Sequence, residues 1–139
     1  MEDDRSLTIG QAGATLTFHS AEPHDQSVGV SLDLPGFVAS TRVFVDYPEI
    51  GGDLADFFRV LEADWKGWDG PREWSTPESD FRLTCWHDRI GHVSVRVDLG
   101  RDPVREWPHA QWKVTAIVIV DPGALSVIAM ELRELFEGG

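Results

Sequence analysis

Val28-Gly29-Val30-Ser31-Leu32-Asp33-Leu34 alternates without a break. Successive side chains of an extended chain point to opposite faces. Val28, Val30, Leu32 and Leu34 therefore share one face, with Gly29, Ser31 and Asp33 on the other. That is the pattern of a half-buried strand. Pro35-Gly36 then turns the chain, and residues 37–47 make another strand, with Val43, Val45 and Tyr47 on one face and Phe44 on the other. Upstream, Leu7 and Ile9, then Leu16 and Phe18, alternate around Gly10-Gln11-Ala12-Gly13, which reads as a hairpin. Residues 20–26 are a polar turn.

Downstream the period changes. Asp53 suits a helix cap, and Leu54, Phe57, Phe58, Leu61 and Trp65 follow at helical spacing as one apolar stripe, with Gly67 as the stop. A loop rich in Gly, Pro and Trp runs from Lys66 to Pro77. Strand spacing resumes with Phe81, Leu83 and Cys85, turns at Asp88-Arg89-Ile90-Gly91, and continues with Val93, Val95, Val97 and Leu99. After an arm of mixed charge at 100–108, residues 111–120 are apolar on both faces, the pattern of a central strand covered on each side. Asp121-Pro122 opens a last helix through Leu125, Ile128, Ala129, Leu132 and Phe136. The expected fold is α+β: one antiparallel sheet of about six or seven strands, with two helices packed on one face. A single domain, 1–139, is expected from the length and the absence of a linker pattern.

Composition narrows the function. The net charge is −12, which argues against a nucleic-acid partner or an anionic membrane surface and favours a basic protein. Residues 46–80 hold ten acids and three bases, so they carry −7 of that charge. The N-terminus, Met1-Glu2-Asp3-Asp4, is acidic where a signal peptide needs positive charge, and one cysteine permits no internal disulfide. A cytoplasmic location is the expectation.

The conspicuous segment is Trp65-Lys66-Gly67-Trp68-Asp69-Gly70-Pro71-Arg72-Glu73-Trp74. Tryptophan couples a large apolar body to one donor, which suits a lid on the core, an interface anchor or a sugar-stacking wall. Trp65 and Trp68 are read as closing the core, and Trp74 as the best candidate for exposure. The partner- or ligand-binding candidates are Trp65, Trp68, Trp74, Asp69, Glu73, Glu78 and His92. His19, His24, His87, His92 and His109 show no metal-ligand spacing. His87 and His92 flank one turn and could approach across it. Cys85 shares a strand face with His87, but also with Leu83 and Phe81, which marks a buried thiol. Asp46, Glu49, Asp53 and Asp56 gather at the helix start, where acids favour the helix dipole. No catalytic residue, cofactor or metal ligand is assigned.

The stretch Leu54 to Phe58, then Trp65-x-x-Trp68-x-Gly70, Trp74-x-x-x-Glu78 and Asp88-x-x-Gly91-His92-Val93, followed by Trp107, Trp112 and Pro122-Gly123, resembles a family of small actinobacterial proteins of unknown function. The resemblance covers about 52–137 and implies a bacterial cytoplasmic setting without an activity to carry over. In size and charge the chain is also similar to immunity proteins found beside polymorphic toxins. The leading expectation is a non-enzymatic binding protein, such as an immunity protein or antitoxin-like inhibitor of a basic partner. The alternative is a small-ligand or sugar-binding module using the Trp65–Trp74 loop. An enzyme using His87, His92 and nearby acids stands third.

Overall fold

In the computed structural model the alternation at 28–34 becomes a strand with Val28, Val30 and Leu32 in the core and Asp33 outside. The structure describes residues 6–11, 13–22, 27–44, 50–76, 80–101 and 112–137. Their elements are β1 (Ser6–Gln11), β2 (Ala14–Glu22), β3 (Ser27–Leu34), β4 (Phe37–Phe44), α1 (Ile50–Ala63), β5 (Arg72–Ser75), β6 (Phe81–His87), β7 (Val93–Arg101), β8 (Trp112–Val120) and α2 (Leu125–Glu137). Two antiparallel meanders result, ordered β1-β2-β3-β4 and β5-β6-β7-β8.

The α+β reading holds, with antiparallel strands and two helices. The strands divide between two sheets because α1 interrupts the meander after β4. β5 lies inside the stretch expected to be loop. Four residues are too few to display a period, so nothing in the local pattern marks it. Residues 45–47, expected to extend β4, lie outside the described residues, as do the Asp46 and Glu49 of the acidic cluster and the arm at 102–111.

The sheets meet where β8 lies beside β1 and approaches β2. α2 covers β1 and β2, and α1 packs on α2, to which Asp56 is tied by Arg133 at 3.1 Å. Phe18 of β2 and Phe81 of β6 are fully buried and meet edge to face, with ring centroids 5.9 Å apart. This is a favoured aromatic geometry. Gly29 has its own reason to be glycine: the His19 ring of β2 lies over it, and a Cβ there would come within 2.5 Å of the imidazole Cε1.

Three local expectations change. Asp53 lies in the first turn of α1, which begins at Ile50, and so is not its cap. Trp65 follows the end of α1 and leaves the apolar stripe, whose buried members are Leu54, Ala55, Phe58 and Leu61. Among the described residues β8 is an end strand of its hydrogen-bonded sheet rather than a central one. Its Val118 and Val120 are buried near the junction with the other sheet, while Ile117 is exposed. The α2 start is as expected: Asp121 Oδ1 accepts from the Gly123 amide at 2.8 Å, and a single 3₁₀ turn, Pro122–Ala124, leads into the helix.

Removing the ring at the meeting of the sheets tests this core. Phe81→Ala is expected to lower stability by about 3–5 kcal/mol in urea denaturation. A double-mutant cycle with Phe18→Leu and Phe81→Leu should show a coupling of about 0.5–1.5 kcal/mol.

Candidate functional site

α1 unwinds through tight turns. The amides of Asp64, Trp65 and Gly67 donate to the carbonyls of Leu61, Glu62 and Asp64 at 3.1, 3.1 and 2.9 Å. The chain then passes under Arg89 at Gly67, whose φ of 147° favours glycine and whose missing Cβ would stand 3.1 Å from Arg89 Cγ. Trp68 turns inward and is only 4% exposed. Its ring lies between the Arg72 guanidinium, 4.9 Å from the centroid, and the His87 imidazole, 5.2 Å away. Arg72 Nη1 is also 2.9 Å from Asp64 Oδ2, an ion pair held by proximity rather than by an aligned hydrogen bond. The indole N–H of Trp68 has no acceptor among the described residues. An unpaired buried donor costs about 1–3 kcal/mol, which the burial and ring contacts of the indole must offset.

The exposure order of the three tryptophans differs from the expectation. Trp74 is not the outward ring. It stands opposite Leu83 in the β5–β6 register, is 9% exposed, and meets Phe81 edge to face at 5.7 Å. Trp65 is the exposed one, at 51%, with Lys66 Nζ 5.6 Å from its ring centroid. Asp69 and Glu73 are exposed, and Glu78 lies outside the described residues. Thr76 closes the β5–β6 hairpin. Its hydroxyl donates to Asp80 Oδ1 at 2.6 Å and accepts from the Phe81 amide at 3.3 Å.

The β6–β7 turn latches onto this loop. The Arg89 amide donates to His87 Nδ1 at 2.7 Å, so the ring's proton sits on Nε2, which donates to the Trp65 carbonyl at 2.7 Å. Arg89, in the left-handed region at φ 65°, sends its guanidinium to Asp69 Oδ1 at 2.6 Å. Asp88 Oδ1 accepts from the amides of Ile90 and His92 at 2.8 and 2.9 Å, and its Oδ2 lies 3.0 Å from His92 Nδ1. The Ile90 amide foremost, then the amide and ring of His92, hold the Asp88 carboxyl below its ordinary range. Ile90 at the tip is 81% exposed.

His87 and His92 are therefore not brought together. Both nitrogens of His87 are engaged in the latch, and His92 is bound to the turn's own aspartate. Cys85 is fully buried, and burial pushes its thiol up to about 12, so no thiolate forms beside His87 near neutrality. Six acids of the segment 46–80 have described side chains. Four have partners: Asp56 with Arg59 and Arg133, Asp64 with Arg72, Asp69 with Arg89, and Asp80 with Thr76. Ile90 was not singled out by the sequence, where it is one apolar residue inside a turn motif. Among the described residues no three His, Cys, Asp or Glu side chains gather to hold a metal ion, and no helix is long and apolar enough to cross a membrane. His24, His109 and Trp107 lie outside the described residues.

Fold and site together define an α+β domain of two antiparallel meanders with one latched loop–turn junction. Residues 7–139 match DUF6228, a family of unknown function, and the chain belongs to that family. The match takes in the N-terminal strands as well as the Trp-bearing segment. No curated protein and no solved structure matches the chain.

Two outcomes test the site. The folded Asp88 carboxyl titrates below its unfolded value. Its stabilisation is complete above the unfolded pKa and is lost as pH falls through the folded one. Asp88→Ala is expected to be less stable than wild type at neutral pH, with the gap in urea midpoint narrowing as pH falls from about 5 to about 2. Cys85 is expected to stay unreactive toward a thiol reagent at about pH 8 in the folded protein and to react at once when the chain is unfolded in denaturant.

Proposed function

We propose that this chain is a non-enzymatic protein-binding domain. Its contact surface is the junction of the α1–β5 loop with the β6–β7 turn, and its partner is a basic protein. The observation that carries the reading is the placement of Trp65 and Ile90. Two large apolar side chains stand exposed on segments fixed to each other by the bond from His87 to the Trp65 carbonyl and by the Arg89–Asp69 pair. Aromatic and aliphatic anchors on a preorganised surface are the features that dominate binding energy at interfaces.

Charge plays a different part from the anchors. Most of the described acids in the loop are engaged with arginines, so they order the surface more than they wait for a cation. Glu62 and Glu73 and the overall −12 supply a field that speeds encounter with a basic partner. An inhibitor of the immunity-protein or antitoxin kind, acting in the bacterial cytoplasm, has these requirements: fast association with a basic target and a rigid contact patch. The sugar-stacking alternative loses its wall, since two of its three rings lie in the core.

The test is capture from a bacterial lysate at low and high salt, with wild type beside a Trp65→Ala/Ile90→Asp variant. The expected outcome is a basic protein retained by wild type at low salt and at least tenfold depleted with the variant. Retention of nothing basic at low salt, or equal retention by both proteins, would sink the proposal.

A further inference from the structure

β4 is an end strand of its sheet, and among the described residues it pairs only with β3. That pairing runs without a shift from Leu34↔Phe37 to Ser27↔Phe44, so the edge carries no bulge. The turn joining the two strands is two residues long, Pro35-Gly36, with Gly36 at φ 75°. A two-residue turn makes its flanking pair, Leu34–Phe37, the hydrogen-bonded one, and the pattern alternates from there. Ala39, Thr41 and Val43 therefore direct their backbone groups to β3. Val38, Ser40, Arg42 and Phe44 direct theirs outward.

Natural edges are guarded by proline, lysine, bulges or brevity. β4 is eight residues of Phe-Val-Ala-Ser-Thr-Arg-Val-Phe, with no proline or lysine. Its one charge, Arg42, reaches back to Ser27 Oγ at 3.5 Å. On its outer face Val38 is 60% and Phe44 50% exposed.

We infer that β4 is the seam of a homodimer, in which the first sheet continues across a two-fold axis into the same sheet of a second copy. The strand is self-complementary in one register. With the axis at Thr41, Val38 lies opposite the partner's Phe44, and Ser40 lies opposite the partner's Arg42. Both exposed apolar residues are then covered, and the residues facing each other are those whose backbone groups point outward. Moving the axis to Arg42 sets Val38 opposite position 46, past the end of β4, and leaves it uncovered. Moving it to Ser40 places Phe44 past the end of the partner strand.

Charge disfavours a basic partner as the occupant, and the matching register points to a second copy. Two chains of −12 repel, and they can approach most readily where neither carries net charge. Residues 27–44 hold one acid, Asp33, and one base, Arg42. A basic partner finds no carboxylate on β4, whereas a second copy finds a matching edge.

The experiment is sedimentation equilibrium of the full chain over a wide concentration range, with variants checked for a wild-type circular dichroism spectrum. The expected mass at high concentration is twice the 15.5 kDa of the chain. Val38→Lys should raise the dimer dissociation constant at least tenfold. So should Ser40→Pro, which removes an outward N–H and the hydroxyl contact with Ser31 but leaves the backbone ladder to β3 whole. Thr41→Cys reports the register: it should cross-link to itself on oxidation, with buried Cys85 silent, whereas Ser40→Cys should not. A monomer at every concentration overturns the inference. So does a dimer that survives both Val38→Lys and Ser40→Pro, or equal cross-linking by the two cysteine variants.

Discussion

The edge-to-face contact of Phe18 with Phe81 is the point at which two small sheets become one core. Among the described residues each sheet has four strands, and the apolar face of each must be buried against another layer. Phe18 belongs to an interior strand of the first sheet and Phe81 to an interior strand of the second. Neither ring has solvent access, so neither sheet can shift its strands by one residue without turning a phenylalanine outward. The same contact reaches the functional segment. Trp74 packs on Phe81, which draws β5 into the second sheet. With β5 fixed at one end and α1 at the other, the intervening residues 64–71 have little choice of path, and Trp68 fills the space beneath them.

How much of this was legible depended on how local each cause is. The β3 strand and the α2 helix could be read from period alone. In β3 the alternating Val28, Val30 and Leu32 are all in the core, although Ser27 and Gly29 of the other face are buried too, and in α2 the pair Asp121-Pro122 supplies its own cap. β5 could not be read, because its only apolar mark is Trp74, and a strand of four residues exists through its pairing with β6 rather than through its own sequence. The start of α1 was misplaced for a related reason. Gly51 and Gly52 are poor helix residues, yet the helix includes them, so propensity alone puts its start too late. For β8, two apolar faces suggested a central strand, but apolarity does not say whether the covering element is a hydrogen-bonded neighbour or another sheet.

The candidate site was legible in location and not in detail. Three tryptophans in ten residues identify a segment under unusual demands, but which ring faces out is decided by partners far along the chain. Trp68 is inside because His87 and Arg72 flank it, and Trp74 because Leu83 and Phe81 meet it. The acids show the same limit. A count of charges in 46–80 gives a field, whereas pairing with Arg72, Arg89 and Arg133 depends on tertiary contact. Ion pairs this exposed contribute roughly 0–1 kcal/mol each, so their main effect is to fix the geometry of the loop rather than to stabilise the domain.

Ile90 sharpens the distinction between a turn that merely reverses the chain and one that presents something. Burying an isoleucine stabilises a fold by about 1.5–3 kcal/mol, and this position forgoes that gain almost entirely. The residue before it, Arg89, occupies the left-handed region, where a side chain costs roughly 1–2 kcal/mol relative to the ordinary helical one. A turn whose only task was to join β6 to β7 would be more stable with glycine at 89 and a polar residue at 90. Glycine at 89, however, would remove the guanidinium that reaches Asp69 and covers Gly67, and with it a tie between the turn and the loop that carries Trp65. Asp88 bonds the amides on both sides of the tip, so the isoleucine is exposed on a rigid backbone rather than a loose one. Local strain, an unburied aliphatic side chain and a rigid support are unfavourable or neutral for folding, and they are favourable together for a surface that must meet a partner already in its bound shape.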